Sequence, residues 1–250
     1  MTTTADLINP LAPIPARKPA EIFKDPFNAK YVFWNIDTQY DFMREGGEYK
    51  GLLPVTGAQA IEPTLVDLTA LAQRNNVRVV NTADWHKNTS AEISLTPDFV
   101  QTYPPHCMEH TQGARYVPAT RPVNPHYVNW TDAIVFENAM LTTRDTVILK
   151  DKFDVFTGNR HAEKLTYLAM KGDGGHRKTA IVYGVATNVC VDYAVMGLRE
   201  RGYDVMVPTD AIKHLPHLEN HPTMNLDATL AKWKKAGVVL TTAKNIEALL

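Results

Sequence analysis

A three-layer α/β/α fold, built on a central, mostly parallel sheet of six strands, is predicted by two observations. Short apolar runs alternate along the chain with amphipathic segments of helical spacing, and several of those segments end near Gly or Asn. The length of 250 residues fits one large domain with ample material for a core. In such folds ligands lie outside the carboxyl ends of the strands, so the residues just after each strand are the place to look for chemistry.

Residues 1–28 hold five prolines (Pro10, Pro13, Pro15, Pro19 and Pro26) and little periodicity. They read as an arm laid on the surface or on a partner subunit, leaving 29–250 as a single domain. The strand candidates are Tyr31–Ile36, Val77–Asn81, Thr146–Leu149, Thr179–Tyr183, Asp204–Val207 and Val238–Thr241. Helical spacing runs over Ala60–Arg74, His161–Met170, Val189–Arg201 and Asp227–Ala236.

The first strand runs into Asp37 and Asp41. Either could cap the following turn, and Asp37 is the nearer to a shared cleft. The second runs into Asp84-Trp85-His86, where Asp and His one residue apart point the same way along extended chain. His106 follows two prolines in Tyr103-Pro104-Pro105-His106-Cys107 and can complete a mixed oxygen and nitrogen site suited to one Zn²⁺, Fe²⁺ or Mn²⁺ ion. Glu92, between them, offers a further carboxylate. A hydrogen-bonded Asp–His pair with a structural His106 is the bland alternative. The third strand ends at Lys150, with Lys152 as the competing candidate on the same face; a lysine beside a thiol would stabilise its thiolate. Cys190 follows the fourth strand and a Gly-containing turn. In the first turn of a helix it would face unpaired N–H groups that favour the nucleophilic thiolate.

Composition excludes several classes. Lys and Arg number 26 against 27 Asp and Glu, so nothing points to nucleic acid or an anionic membrane. Two cysteines make no disulfide framework, and neither lies in a paired C-x-x-C spacing. No charged start followed by an apolar run resembles a signal peptide, and no apolar stretch approaches the roughly 20 residues of a membrane span. A cytoplasmic protein is the expectation. The histidines His176, His214, His217 and His221 read as loop residues, and Trp233 as an apolar anchor on a basic helix.

Asp37, Lys150 and Cys190 at three strand ends resemble the isochorismatase-like cysteine hydrolases, and most of all their metal-containing branch, the nicotinamidases (pyrazinamidases). The matching segments are IDTQYDF, LLPVTGA, TADWH, TPDF, YPPHC, LKDKFDVF and GVATNVCVDYAV, from about residue 31 to 210. The resemblance implies a triad of Asp37, Lys150 and Cys190, and a metal held by Asp84, His86 and His106. Glu92 stands where some members place a further His. It also implies a cis bond at Val185-Ala186, with the N–H groups of Ala186 and Cys190 turned to an oxyanion. Phe42, Tyr103 and Val185 would contact a flat ring.

The implied reaction is hydrolysis of nicotinamide to nicotinate and ammonia through a Cys190 thioester, a step of NAD salvage. The chain departs from many nicotinamidases in having Tyr at 103 and Val at 189. It also carries the arm and an insertion at about 120–145 that borders or covers the expected pocket. The rival readings are a cysteine hydrolase of the same fold acting on another small amide or carbamoyl compound, and a non-catalytic binding module. The partner implied is a small-molecule amide, and the resemblance admits a homo-oligomer.

Overall fold

The computed structural model describes residues 26–133, 142–172 and 175–250. Strands β1 (Tyr31–Ile36), β2 (Arg78–Asp84), β3 (His126–Val128), β4 (Asp145–Lys150), β5 (Thr179–Val185), β6 (Val205–Pro208), β7 (Ile212–Lys213) and β8 (Val239–Thr241) form one sheet. Its order is β3-β4-β2-β1-β5-β6-β8, with β7 paired to β5, and every pairing is parallel. The six expected strands are all present. The sheet is larger than expected by β3 and β7, whose three and two residues are too short for an apolar pattern.

Parallel neighbours need a crossover, and the amphipathic segments supply it. Helices α1 (Glu62–Arg74), α2 (Ala162–Met170), α3 (Asp192–Glu200) and α4 (Leu226–Lys235) each lie between two strands of the sheet. In α1 the buried positions Leu65, Leu68, Leu71 and Ala72 recur at helical spacing, and Leu65 and Leu68 are almost wholly inaccessible. Burying such a leucine contributes about 2 kcal/mol. Asn225 caps α4 by accepting from the Ala228 N–H at 2.7 Å, and the last turn carries Lys232, Lys234 and Lys235 at the negative end of the helix dipole. Trp233, the expected apolar anchor of this basic helix, is fully buried and donates its indole N–H to Asp192 at 2.8 Å. The central strands are covered on both faces: every residue of β2 and all but the first of β1 are buried, and β1 accordingly reads as a mostly apolar run rather than an alternating one.

The strand order sets the site. β4, β2, β1 and β5 are consecutive neighbours, with Ile36 opposite Gly184 and Asp84 opposite Lys150 in the register. Residues following these four strands therefore share one edge of the sheet. Gly184 has φ +119°, and a Cβ there would fall 2.1 Å from the Ile36 carbonyl oxygen. Only glycine lets β5 approach β1 this closely just before Cys190.

Residues 1–25 of the expected arm lie outside the described residues. At its end the Pro26 carbonyl accepts from the Asn76 side chain at 2.7 Å, and Arg78 lies over the Phe27 ring at 4.2 Å. Residues 134–141 of the expected insertion also lie outside them. Its described residues include β3, beside β4, and none of them lines the cavity that holds Cys190. Among the described residues no helix is long and apolar enough to cross a membrane.

Candidate active site

Four strand exits bring the expected residues together. Asp37 follows β1 with φ +47°, and its Oδ1 accepts from Thr82 Oγ1 at 2.7 Å. Lys150, the last residue of β4, places Nζ 2.9 Å from Asp37 Oδ2, donates to Asp84 Oδ1, and lies 3.7 Å from Cys190 Sγ. Lys152, the competing lysine, is exposed. All four of the clustered residues are buried.

Cys190 sits in a wide helical turn, Thr187–Val191, and the regular helix α3 begins only at Asp192. The Val185-Ala186 bond is cis, as the resemblance implies. The Ala186 carbonyl accepts from the N–H groups of Val189 and Val191 at 3.0 and 3.1 Å, which folds the turn back beneath Cys190. Asn188 pins it by donating to the carbonyls of Leu215 and Met224 and accepting from the Leu215 N–H at 2.9 Å.

Charge in this cluster follows from burial without water. Burial pushes the Lys150 ammonium down, but Asp37 and Asp84 outweigh it and hold the group protonated well above its usual range. Burial also works against Asp84, yet Lys150 and the imidazoles of His106 and His86 keep it ionised well below the usual carboxylate range. Asp37 is raised, by burial and by the Asp84 charge, against the pull of Lys150. Cys190 is pushed well up, because burial, Asp37 and Asp84 outweigh Lys150. This runs against the thiolate expected from the helix-start argument: burial, with the charges of Asp37 and Asp84, favours the neutral thiol over any gain at the start of the turn. The resting group is a thiol beside a carboxylate.

The second cluster is Asp84, His86 and His106. One ligand atom from each lies within 4.8 Å of the others, and all three residues are buried. Asp84 Oδ2 is 3.5 Å from His86 Nε2 and 3.7 Å from His106 Nε2. A bridge between His86 and Met108, with the His86 N–H donating to the Cys107 carbonyl at 3.0 Å, brings the two histidines into one place. His106 Nδ1 donates to the Pro104 carbonyl at 2.7 Å, which leaves Nε2 as the ring nitrogen on the Asp84 side. Neither ring nitrogen of His86 has a hydrogen-bond partner among the described residues. Orphaned buried imidazole nitrogens facing a carboxylate fit a metal ion.

Glu92 stands outside that three-residue group. Its Oε1 accepts from the Phe153 N–H at 2.7 Å, while burial, and then the Asp84 charge, push its carboxyl up to about 8.

A narrow cavity joins the two clusters. Asp84, His106, Ala186 and Cys190 lie on it, and Phe42, Leu53, Val55, Tyr103, Phe153, Val189 and Leu215 form its largely apolar wall. Phe42 and Tyr103 are where the resemblance implies. Val185 is not on the wall but buried within β5, whereas Val189, one of the departures from the family pattern, is on it. Leu53, Val55, Phe153 and Leu215 escape sequence reasoning, as loop apolar residues carry no periodicity.

Two further residues organise the site. Gln39, fully buried, accepts from the Asp84 N–H at 2.8 Å and donates to the Asp84 carbonyl at 2.7 Å and the Ala114 carbonyl at 2.9 Å. Asp41 accepts from the Tyr49 hydroxyl at 2.7 Å, the Leu52 N–H at 3.0 Å and the Cys107 N–H at 2.7 Å. It thereby ties the wall at Leu53 to the His106 loop. A polar residue directly after a strand was the available signal for both.

Comparison with known proteins agrees with this architecture. A curated nicotinamidase/pyrazinamidase of Mycobacterium tuberculosis (strain ATCC 25618 / H37Rv) is 38% identical over 84 residues, which span 34% of this chain and 42% of that protein. A pyrazinamidase of Pyrococcus horikoshii, solved in complex with zinc, superposes with a TM-score of 0.59 at 22% identity, over 85% of this chain and 99% of that one. PnC1 from L. infantum, solved in complex with nicotinate, gives 0.60 at 22% identity over 86% and 94%. The structural likenesses establish the shared fold. The family model for the isochorismatase domain matches residues 32–244, nearly the whole described chain and every strand exit above, and the chain therefore belongs to the isochorismatase family of hydrolases.

Proposed function

We propose that the protein is a metal-assisted cysteine amidohydrolase that converts nicotinamide and water to nicotinate and ammonia. The observation that carries this reading is a single cavity lined by Cys190, which lies against Lys150 and Asp37, and by Asp84 and His106 of the Asp84–His86–His106 group. The partial likeness to a nicotinamidase/pyrazinamidase supports the substrate.

Asp37 accepts the proton of the Cys190 thiol as sulfur attacks the carboxamide carbon, so the thiolate never has to persist in the resting site. Lys150 keeps Asp37 poised and offsets the negative charge that builds beside it. The N–H groups of Ala186 and Cys190 receive the oxyanion; losing one such donor typically costs about 3 kcal/mol. Asp37 then returns the proton to nitrogen, the C–N bond breaks, and ammonia leaves a thioester on Cys190. Water cleaves the thioester with Asp37 as base, releasing the acid and restoring the thiol. Asp84, His86 and His106 would hold one divalent ion (zinc, iron or manganese), which supplies an electrophilic anchor for a heteroaromatic nitrogen. Phe42 and Tyr103 flank a flat ring, and the apolar wall excludes water from it.

The test is ammonia release from nicotinamide by purified protein, beside chelator-treated and Cys190→Ala samples. Turnover lost in both controls is the expected result. Turnover that survives chelation removes the metal from the reading, and turnover that survives Cys190→Ala removes the covalent step. No turnover despite bound metal and an alkylatable Cys190 turns the reading to other small amides or carbamoyl compounds.

A further inference from the structure

Asp84 faces two ways. Its Oδ2 lies 3.5 Å from His86 Nε2 and 3.7 Å from His106 Nε2, while its Oδ1 accepts from Lys150 Nζ. Two further groups stand around that ammonium, Asp37 Oδ2 at 2.9 Å and Cys190 Sγ at 3.7 Å. The Thr82 hydroxyl holds the other oxygen of Asp37, Oδ1, at 2.7 Å. Oδ2 is therefore the oxygen turned to the ammonium, and it makes no hydrogen bond among the described residues. Asp37, Asp84 and Cys190 are all buried, and one ligand atom from each lies within 4.8 Å of the others. Two carboxylates and one sulfur, from three strand exits, thus surround a single positive charge.

Such an arrangement is a cation site filled by the protein's own cation. A thiolate beside carboxylates suits a soft divalent ion, with bonds of about 2.0–2.3 Å. Those bonds set ligand atoms about 3.5 Å apart, so the three groups need to close by roughly an ångström. Lys150 reaches the centre on a flexible four-carbon stem and is the component able to withdraw. The cavity lined by Asp84 and Cys190 gives the ion its route in and the ammonium its way out. We propose that Asp37, Asp84 and Cys190 form a second site for a thiophilic divalent ion such as Zn²⁺ or Cd²⁺, adjoining the first through a shared Asp84. The ion displaces the Lys150 ammonium and caps the nucleophile. As the sulfur–metal bond forms, the Cys190 thiol gives up its proton to solvent. The site is inhibitory, so excess metal stops the reaction that one ion supports. That consequence rests on the metal-assisted cysteine reading above; the site itself does not.

The experiment titrates Cd²⁺ into the full chain. It reads bound ions per chain, the ultraviolet thiolate-to-cadmium absorption, and protection of Cys190 from alkylation. Wild type is expected to bind two ions, one of which brings the absorption and the protection. Cys190→Ala should bind one ion and show no absorption, whereas His86→Ala, which alters the first site only, should keep the absorbing ion. A neighbouring charge at these distances moves a proton equilibrium by about one to three pKa units. By the same electrostatics Asp37→Asn should weaken the absorbing ion about tenfold, and Lys150→Met should tighten it about tenfold. Equal affinity in wild type and Asp37→Asn means that sulfur acts alone, and equal or weaker affinity in Lys150→Met means that the ammonium does not occupy the site. Either result overturns the proposal, as does a second ion retained by Cys190→Ala. If Lys150→Met does not fold, the Cys190 and Asp37 variants decide the matter. Ammonia release from nicotinamide should rise with the first equivalent of Zn²⁺ and fall with the second. No release at any metal content refutes the amidase reading, while the cadmium titration still decides the site.

Discussion

Replacing Lys150 by Met asks whether one buried ammonium holds two carboxylates in the site. Lys150 is 1% exposed, pairs with Asp37 at 2.9 Å, and is bonded to Asp84. Met keeps the apolar stem and removes the charge. Asp37 and Asp84 then face each other as buried like charges, and one must take up a proton when the chain folds. Asp37 is that group, since it is already raised above 3.8 while Asp84 is held below. Binding a proton at pH 7 on a carboxyl that titrates near 3.8 when unfolded costs about 4 kcal/mol, or about 1.4 kcal/mol per pH unit. Part of that penalty exists in wild type, so the expected loss is roughly 3 kcal/mol at pH 7. A carboxyl raised in the folded state destabilises above its unfolded value, so the deficit shrinks on acidification, to less than about 0.5 kcal/mol at pH 5. Urea unfolding of metal-free wild type and Lys150→Met at pH 5, 6 and 7 reads it directly. Adding Asp37→Asn should flatten the dependence. A deficit equal at all three pH values would falsify the electrostatic account and leave only lost packing.

His86→Ala should lower bound metal, measured by elemental analysis after dialysis, and raise KM far more than it changes the melting temperature; full metal content would remove His86 from the ligand set. Because Cys190 is raised well above 9.0, its alkylation without substrate should stay slow at neutral pH and still be climbing past pH 9. A rate that levels off below pH 8 contradicts the resting thiol. Gly113→Ala sets a Cβ 2.0 Å from Asp41 Oδ2, and overpacking of that kind should cost about 1–3 kcal/mol in urea unfolding. Metal affinity should fall with it, because Asp41 holds the His106 loop through the Cys107 N–H. Unchanged affinity would show the two to be independent.

The strands that carry chemistry were readable because parallel central strands are covered on both faces and appear as unbroken apolar runs. Asp37, Asp84, Lys150 and Cys190 were readable for the related reason that each follows such a run closely. β3 and β7 were not, since their three and two residues are too short to show a pattern of their own. The protonation of Cys190 was also out of reach. It depends on the spacing of Asp37, Asp84 and Lys150, separated by dozens of residues in sequence, and local helix geometry points the other way.

Gln39 holds the Asp84 peptide by both its N–H and its carbonyl, as a neighbouring strand would. A side chain thus carries the pairing of β1 and β2 one step beyond the point where their backbones part. The exits of the two strands, together with the segment at Ala114, therefore behave as one transplantable module. A chimera that imports residues 37–41 from a relative without the matching 84–86 and 113–117 segments would inherit the pocket's residues but lose the alignment of carboxylate against ammonium. Directed evolution of substrate range can vary Leu53, Val55 or Leu215 freely by comparison, because none of them shares a hydrogen-bonded side chain with that module.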